Sequence, residues 1–343
     1  MSGAEKFFFC TTVKFSSIEL FQIYSKENLP LELWEELAGE SLLYSTGWLN
    51  LWRTLGGEPV YFISDQSAGD YPLCGFAGIR FGDGAISRIQ VQANGLPGRL
   101  FPDYEAKKAN ADIIEESLAC LARSSGLYAI WVDYDNVIKI GHDNDNALSE
   151  HWRRSEQVCH RILLADESNQ FDSKTRRHIR SGIERGATVR PIATADEAQI
   201  CFELQTETYK RRGARVIYNK KFYHELFELS QKDQRIIWLV CETDGKLIGS
   251  SVTLVEREEA LNWQPYIDWE SRRYKQSYLL MEESIREARK RNLKIFNLGA
   301  TPAGAEGLRI FKEGFGASSY AYSIYRYDLA LGRILKTVGL IRS

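Results

Sequence analysis

The spacing of apolar residues predicts alternating helices and strands in both halves of the chain. In the second half, apolar residues from Tyr278 to Ala288 recur at helical intervals, which predicts a helix over residues 277–291. Asp244 and Gly245 mark a tight turn between two strand-like runs. The predicted elements are helices at 196–211 and 221–230, strands at 235–242, 247–255 and 260–268, a helix at 277–291, a strand at 295–298, a short helix ending near Gly314, and a strand at 319–327.

The first half predicts a similar order from weaker periodicity. Its elements are helices at 31–37 and 48–55, strands at 60–64, 73–80 and 86–93, a helix at 109–124, and strands at 127–133 and 157–164. No repeat is visible at the level of residues, but the layout recurs. We therefore predict an α/β fold with mixed sheets, built from two similar domains in tandem at 1–170 and 171–343.

A basic segment, FDSKTRRHIRSGIERGATVR, lies between these halves. Asp172 or Ser173 can cap a helix here and Gly186 can end it in the left-handed conformation, so we predict a linker helix over 172–186. The residues that share its inner face are Thr175, Ile179 and Ile183. Two interpretations of Arg177 and Arg180 stay open: a solvated helix surface, or a bidentate grip on an anionic substrate. Arg211, near the end of the helix predicted at 196–211, is a further candidate for substrate binding.

Composition sets limits on the class of protein. The chain has 343 residues, 44% hydrophobic and 26% charged, so it can bury a large core and exceeds one typical domain. Residues 1–170 hold 14 Lys and Arg against 24 Asp and Glu, whereas the remainder holds 30 against 22. A basic second half favours either a polyanionic ligand or docking against the acidic first half.

Several classes of protein and site are disfavoured. No apolar run approaches the roughly 20 residues that span a bilayer, and no secretory signal is visible, so we expect a soluble, cytoplasmic protein. The six cysteines and five histidines lack the spacing of a disulfide framework or a zinc site. We expect no metal ion, no tightly bound cofactor and no DNA partner. For the C-terminal segment LALGRILKTVGLIRS, packing across the domain junction is favoured over the alternative, peripheral contact with an anionic membrane.

Six segments together resemble the FemAB-like branch of the GNAT (N-acetyltransferase) superfamily. They are WLNLW (48–52), QANGLPG (92–98), SKTRRHIRSGIERGATV (173–189), TETYKRRG (206–213), YKQSYLLMEESIREARKRNLKIFNLG (274–299) and GLRIFKEGFGA (307–317). The resemblance implies two GNAT-like domains in tandem. It also implies an N-acyltransferase that moves an acyl or aminoacyl group from an activated donor to an amine of a cell-envelope or polysaccharide precursor.

The resemblance leaves the co-substrates open. The donor is of the acyl-CoA type or an aminoacyl-tRNA, and the acceptor is a small molecule or a lipid-linked or sugar-linked amine. A tRNA partner predicts nucleic-acid binding with a steep salt dependence. The alternative function is a non-catalytic GNAT-like protein that binds an anionic partner through residues 174–220, and thermal stabilisation by a thioester donor distinguishes the two.

The family holds the donor pyrophosphate on backbone N–H groups where the fourth strand leads into a helix. That segment is 270–277 here. The donor-binding candidates are Arg272, Arg273, Lys275, Ser277 and Tyr278. Because the segment has no glycine, we predict that a tight anion-binding turn with a positive φ is hard to form.

The bend GATPAGAEG lacks the lysine of a Walker A loop, since Ala305 stands in its place. The resemblance places the reacting centre beside this bend, where the strands at 260–268 and 295–298 diverge. Lys312 is the candidate catalytic cation for an oxyanion, the alternative being a surface lysine at a helix C-terminus. Asp268 is the candidate proton acceptor, and Tyr266 is the candidate donor to the leaving group, with Tyr278 as the alternative donor.

Overall fold

The computed structural model describes residues 21–64, 73–91, 111–133, 152–165, 171–329 and 332, except for the side chains of 111–115. Its strands are β1 (Phe21–Tyr24), β2 (Gly57–Ser64), β3 (Gly75–Phe81), β4 (Arg88–Val91), β5 (Tyr128–Asp133), β6 (Trp152–Leu163), β7 (Thr188–Pro191), β8 (Ile236–Thr243), β9 (Lys246–Glu256), β10 (Glu259–Ile267), β11 (Ile295–Ala300) and β12 (Ser318–Asp328). Its α-helices are α1 (Leu31–Ala38), α2 (Thr46–Leu51), α3 (Ala111–Arg123), α4 (Ser173–Glu184), α5 (Ala195–Arg211), α6 (Lys220–Lys232), α7 (Gln276–Lys290) and α8 (Glu306–Glu313). Short 3-10 turns lie at Trp52–Leu55, Gly84–Ile86 and Arg272–Tyr274.

The described strands form one mixed sheet in the order β1-β2-β3-β4-β5-β12-β6-β11-β10-β9-β8-β7. The outer strands of the two halves mirror each other, and each set contains one parallel pair, β4 with β5 and β10 with β11. The two central strands are exchanged, because β12 pairs with β5 and β6 pairs with β11. The predicted α/β fold with two similar units is confirmed. The division at 170/171 stays a prediction, and the sheet continues across it.

Helices cover both faces of the second half of the sheet. Alternate residues of a strand point to opposite faces, and in β8 Trp238 and Val240 pack in a core with α5 and α6. Their neighbours Ile237 and Leu239 pack on the other face with residues of α4 and α7. The structure thus places α5 and α7 on opposite sides of the strands that carry the candidate site.

The two halves pack through aromatic residues. The ring of Trp48 on α2 lies 5.2 Å from that of Trp263 on β10, and the ring of Trp52 lies 5.9 Å from that of Phe222 on α6. The core on this face is continuous between the halves. Burial of aromatic side chains, rather than pairing of opposite charges alone, therefore stabilises their contact.

Most predicted elements are present with small shifts of their ends, but some predictions are wrong. The helix predicted at 48–55 is divided, because α2 ends at Leu51 and a 3-10 turn follows up to Gly56, whose φ is 76°. Strand β6 begins at Trp152, five residues before its predicted start, since its polar first part is held by pairing with β12. The short edge strands β1 and β7 were not predicted.

Two predicted features lie outside the described residues. They are the QANGLPG segment at 92–98 and residues 330–331 and 333–343 of the C-terminal segment, whose roles stay predictions. None of the described helices has both the length and the apolar character needed to cross a bilayer.

Candidate active site

Strands β10 and β11 run side by side for three residues and then separate. Residues 259–261 pair with 295–297. Beyond this point the partner of β10 in the described chain is β9, whereas Ala300 of β11 pairs with Cys159 of β6. A β-bulge at Trp263 accompanies the separation. The gap predicted between these two strands is therefore confirmed.

The turn from β10 into α7 holds the cations predicted for donor binding. Residues Arg272–Tyr274 form a 3-10 turn, and Lys275 then adopts a φ of 57° before α7 begins. The prediction that this turn would be hard to form without glycine is wrong. The left-handed conformation costs a side-chain residue only about 1–2 kcal/mol, and Lys275 O accepts the Tyr278 N–H at 2.9 Å in the first turn of the helix.

An open pocket of about 680 Å³ lies at this turn. Its lining includes the five candidates for donor binding, Arg272, Arg273, Lys275, Ser277 and Tyr278. The first N–H groups of α7 have no acceptor within the helix and carry its positive dipole end. Side-chain cations and a helix N-terminus thus meet in one pocket, which suits an anion.

Trp269 contacts one arginine predicted for substrate binding and one predicted for donor binding. Its side chain is 46% exposed. The guanidinium carbon of Arg211 lies 4.0 Å from the ring centroid, and that of Arg272 lies 5.0 Å from it. Arg211, predicted for substrate binding, is therefore next to the donor-binding turn. Sequence reasoning missed Trp269 because its two cationic neighbours meet it only in the folded chain.

The arginines predicted on α4 lie differently. Arg177 and Arg180 are exposed and do not line the pocket, whereas Arg185 at the end of this helix does. Asp172 caps the helix by accepting the Thr175 N–H at 2.6 Å, as one of the two predicted caps. The predicted inner face is wrong in one position.

That position is Ile183, which is 60% exposed. Gly182 takes the inner position, and a Cβ atom there would lie 2.7 Å from Tyr274 O and 2.9 Å from a methyl group of Leu279. The missing side chain of Gly182 therefore lets α4 approach α7 and the 3-10 turn closely. Periodicity could not reveal this, because glycine was not counted among the apolar positions.

Asp268 holds the turn at the end of β10. Its carboxylate accepts hydrogen bonds from Lys246 Nζ at 2.7 Å, Ser271 Oγ at 2.8 Å and the Glu270 N–H at 3.0 Å. Partial burial would raise the pKa of Asp268, but these hydrogen bonds outweigh it and lower the pKa below its ordinary value. A carboxylate with a lowered pKa is a weak proton acceptor.

Tyr266 lies on the α5 side of the sheet, with its ring centroid 6.1 Å from that of Tyr209. Burial, reinforced by Tyr209, raises the pKa of Tyr266 far above its ordinary value. The hydroxyl therefore stays protonated and can act as a hydrogen-bond donor. Its predicted role toward the leaving group stays a prediction.

Lys312 is buried, with 3% of its surface exposed. Its Nζ donates to Gly299 O at 2.7 Å, Ala300 O at 2.8 Å and Thr301 Oγ1 at 3.0 Å. Leu308 on the same helix is 39% exposed. Burial lowers the pKa of Lys312 to about 8. The alternative of a surface lysine is thus wrong.

His160 extends this cluster and was not predicted as a site residue. Its Nδ1 lies 2.9 Å from Thr301 Oγ1, and its ring is 2% exposed. Burial, followed by the charge of Lys312, lowers the pKa of His160, which favours the neutral ring. Its Nε2 has no hydrogen-bond partner among the described residues. A single histidine in a strand gives no sequence signal for such a cluster.

Comparison with known proteins agrees with this geometry. Residues 171–313 match the family model described as an acetyltransferase (GNAT) domain. This part of the chain is a GNAT domain. Members of this family are acyltransferases, so the predicted enzyme class is confirmed, and the parted strands β10 and β11 lie within the GNAT domain. No curated protein matches the chain.

Three solved structures share the fold of almost the whole chain. FemX aligns with a TM-score of 0.63 and 11% identity, over 90% of this chain and 96% of FemX. The C-terminal domain of a protein named as a lysylphosphatidylglycerol synthetase from Agrobacterium fabrum aligns with a TM-score of 0.54 and 14% identity, over 91% and 97%. L-PGS from Bacillus licheniformis aligns with a TM-score of 0.52 and 11% identity, over 92% and 97%. At these identities the likeness supports the fold of the GNAT domain and of the first half.

Proposed function

We propose that this chain is an N-acyltransferase whose reaction takes place between β10 and β11 of the GNAT domain. It moves an acyl or aminoacyl group from an activated donor to an amine of a cell-envelope or polysaccharide precursor. The observation that carries this proposal is the opening of the two parallel strands beside a basic pocket at the N-terminus of α7. One ligand can therefore place a phosphate in the pocket and a carbonyl in the gap.

The basic side chains of the pocket and the unpaired edge of β10 would bind the acyl donor. Arg272, Arg273 and Lys275 would neutralise the donor phosphates, and the first N–H groups of α7 would bind their oxygens. Beyond Leu261, the edge of β10 that turns toward the gap has no strand partner in the described chain. Its N–H and C=O groups can bind the amides of an acyl-CoA arm, as an added strand would.

The acceptor side uses proximity more than acid–base chemistry. A neutral amine that is held beside the carbonyl attacks it and forms a C–N bond, and the negative charge on the carbonyl oxygen needs nearby N–H or O–H donors. The C–S or C–O bond to the donor then breaks, and the leaving thiolate or alkoxide takes up the proton that the nitrogen loses. Asp268 is a weak base, so we assign it the task of holding the turn that carries Trp269 and Arg272. Arg211 would bind an anionic group of the acceptor or the donor.

An envelope precursor is the acceptor that the neighbours favour. The name lysylphosphatidylglycerol synthetase describes an aminoacylated envelope lipid as a product, formed on a hydroxyl group because phosphatidylglycerol carries no amine. An aminoacyl-tRNA is therefore the second candidate for the donor, and its phosphates would extend over the basic side chains around the pocket. The two donors differ in chemistry but share the ester or thioester carbonyl that the amine attacks.

Binding and turnover of defined donors test the proposal. Acetyl-CoA, a long-chain acyl-CoA and an aminoacyl-tRNA are titrated calorimetrically, and transfer to a panel of amino sugars and amino acids is followed by release of free thiol or tRNA. The Arg272→Met/Arg273→Met variant should weaken donor binding by about tenfold or more, since two phosphate contacts are lost. Arg289→Met is the matched control, because this exposed residue lies at the opposite end of the same helix.

Each outcome bears on a different part of the proposal. Preference for the aminoacyl-tRNA, with affinity that falls steeply with salt, selects that donor. Binding of a donor without transfer to any amine favours the non-catalytic alternative. If no donor binds, or if the double variant binds as tightly as the control, the pocket is not the donor site and the proposal fails.

A further inference from the structure

Where β11 leaves β10, its backbone loses the partners that a sheet normally supplies. Pairing with β10 stops at Asn297, but β11 continues to Ala300. Its other edge remains attached to β6, where the Thr301 N–H donates to Val158 O at 2.7 Å. Leu298 is buried and Gly299 is partly buried, and backbone groups shielded from water without a partner are costly, so the edge that faces the gap favours acceptors and donors from elsewhere.

Asn297 supplies the first of these. Its Nδ2 donates to Glu259 Oε1 at 2.6 Å, and its Oδ1 accepts the Gly299 N–H at 2.8 Å. The orientation of the amide is fixed by its partners, because a carboxylate only accepts and an N–H only donates. Asn297 is fully buried. It therefore satisfies the first backbone donor beyond the point where the strands separate.

Lys312 on α8 supplies the remaining hydrogen-bond donors to the end of β11. Its ammonium donates to the carbonyls of Gly299 and Ala300 and to the hydroxyl of Thr301. An ammonium has three N–H donors and no acceptor, so all three are used. No N–H of Lys312 is left for an oxyanion unless one of these bonds breaks. Lys312 therefore makes hydrogen bonds to the end of β11 that a neighbouring strand would otherwise make.

We propose that Asn297 and Lys312 are positioning residues that replace β10 as the hydrogen-bond partner of the end of β11 and so hold the donor gap open. The gap matters for catalysis only if a donor enters it, so the catalytic part rests on the proposed function. The structural part stands on the hydrogen bonds alone. Lys312 then acts on the donor through the shape of the bend at Gly299–Thr301, and not by contact with the reacting atoms.

This role predicts a kinetic pattern that differs from that of an oxyanion donor. Removing an oxyanion donor lowers kcat and leaves binding of the donor in the ground state unchanged. Removing the hydrogen bonds that keep the gap open makes donor binding weaker, which raises KM and Kd while kcat changes less. The affinity for acetyl-CoA therefore distinguishes the two roles.

The experiment compares the wild-type chain with Lys312→Met, which keeps the length of the side chain and removes its donors. Lys294→Met is the control, because Lys294 precedes β11 and is largely exposed. Hydrogen–deuterium exchange is measured on the peptide that covers residues 298–305. Calorimetric Kd values for acetyl-CoA and kinetic constants with the best amine of the panel are measured on the same three chains.

We expect amide exchange in 298–305 to accelerate about tenfold or more in Lys312→Met and to be unchanged in Lys294→Met. We expect Kd for acetyl-CoA to rise by about tenfold, with kcat within about threefold of the wild type. If Lys312→Met does not fold, Lys312→Gln keeps two N–H donors and should give intermediate exchange. Unchanged exchange, or a large fall in kcat at constant Kd, overturns the proposal.

Failure of the proposed function gives a different result. If the wild-type chain neither binds acetyl-CoA nor transfers an acyl group, the exchange measurement still reports whether Lys312 holds the end of β11. Accelerated exchange in Lys312→Met would then support the positioning role without a transferase.

Discussion

The pH dependence of stability gives a sharp test of how Lys312 is buried. The perturbation is a rise in pH from 7 to 10.5, measured in the wild-type chain and in Lys312→Met. Because the pKa of Lys312 falls from 10.5 to about 8 on folding, the unfolded chain holds this proton more tightly. Burial of the protonated side chain therefore destabilises the folded chain fully below about pH 8. This destabilisation decreases as the pH rises and is absent above about pH 10.5.

The magnitude follows from the shift. A change of about 2.5 pKa units, from 10.5 to about 8, corresponds to about 3 kcal/mol. With 3% of its surface exposed, the side chain has little solvent screening. The free energy of unfolding of the wild type, relative to Lys312→Met, should thus increase by about 3 kcal/mol between pH 7 and 10.5.

Denaturant unfolding followed by tryptophan fluorescence measures this difference at each pH. Tyrosines, cysteines and the other lysines titrate in both chains, so the comparison isolates Lys312. Lys294→Met is measured beside it as the control for loss of a lysine, since Lys294 is exposed and pairs with Glu258 at the surface. If the difference in free energy of unfolding between the wild type and Lys312→Met stays constant with pH, the inference that burial lowers the pKa of Lys312 is refuted.

Two further predictions concern the pocket and its support. Trp269→Ala should raise Kd for acetyl-CoA by about threefold to tenfold, because two exposed cation–π contacts of about 0.5–1 kcal/mol each orient Arg211 and Arg272. Calorimetry checks this, and a Trp269→Phe variant that binds as weakly as Trp269→Ala would contradict it. Gly182→Val should lower the free energy of unfolding by about 1–3 kcal/mol, because its side chain would press on Tyr274 O and Leu279. Denaturant unfolding measures that loss, and a variant as stable as the wild type would show that α4 can move away at no cost.

Local patterns predicted the elements that are amphipathic or well capped. Helix α7 was predicted at 277–291 and lies at Gln276–Lys290, because its apolar residues face one core throughout. The turn at Asp244 and Gly245 was predicted from its sequence, and both residues have positive φ. Strands β1 and β7 escaped prediction because each has four residues and lies at an end of the sheet, where pairing rather than periodicity decides.

The chemistry of the site was harder to predict than the fold. The five donor candidates line one pocket because they are close in the sequence, at the 3-10 turn and the first residues of α7. For Lys312 the sequence left two interpretations open, a catalytic cation and a surface lysine, because lysine is usually exposed. Its burial depends on two strands separating elsewhere in the sheet, which no local pattern of α8 reveals. The same holds for His160, which meets Thr301 only through the pairing of β6 with β11.

The exchanged central strands make the site a product of both halves. Ala300 pairs with Cys159, and the Thr301 N–H binds Val158 O, so β6 holds one edge of β11 while Lys312 and Asn297 hold the other. Strand β12 in turn pairs with β5 and β6, both of which precede the predicted boundary at 170/171. A chain cut at that boundary would leave β12 without either neighbour and β11 without β6. The gap in the GNAT domain therefore depends on residues that lie outside the matched region 171–313.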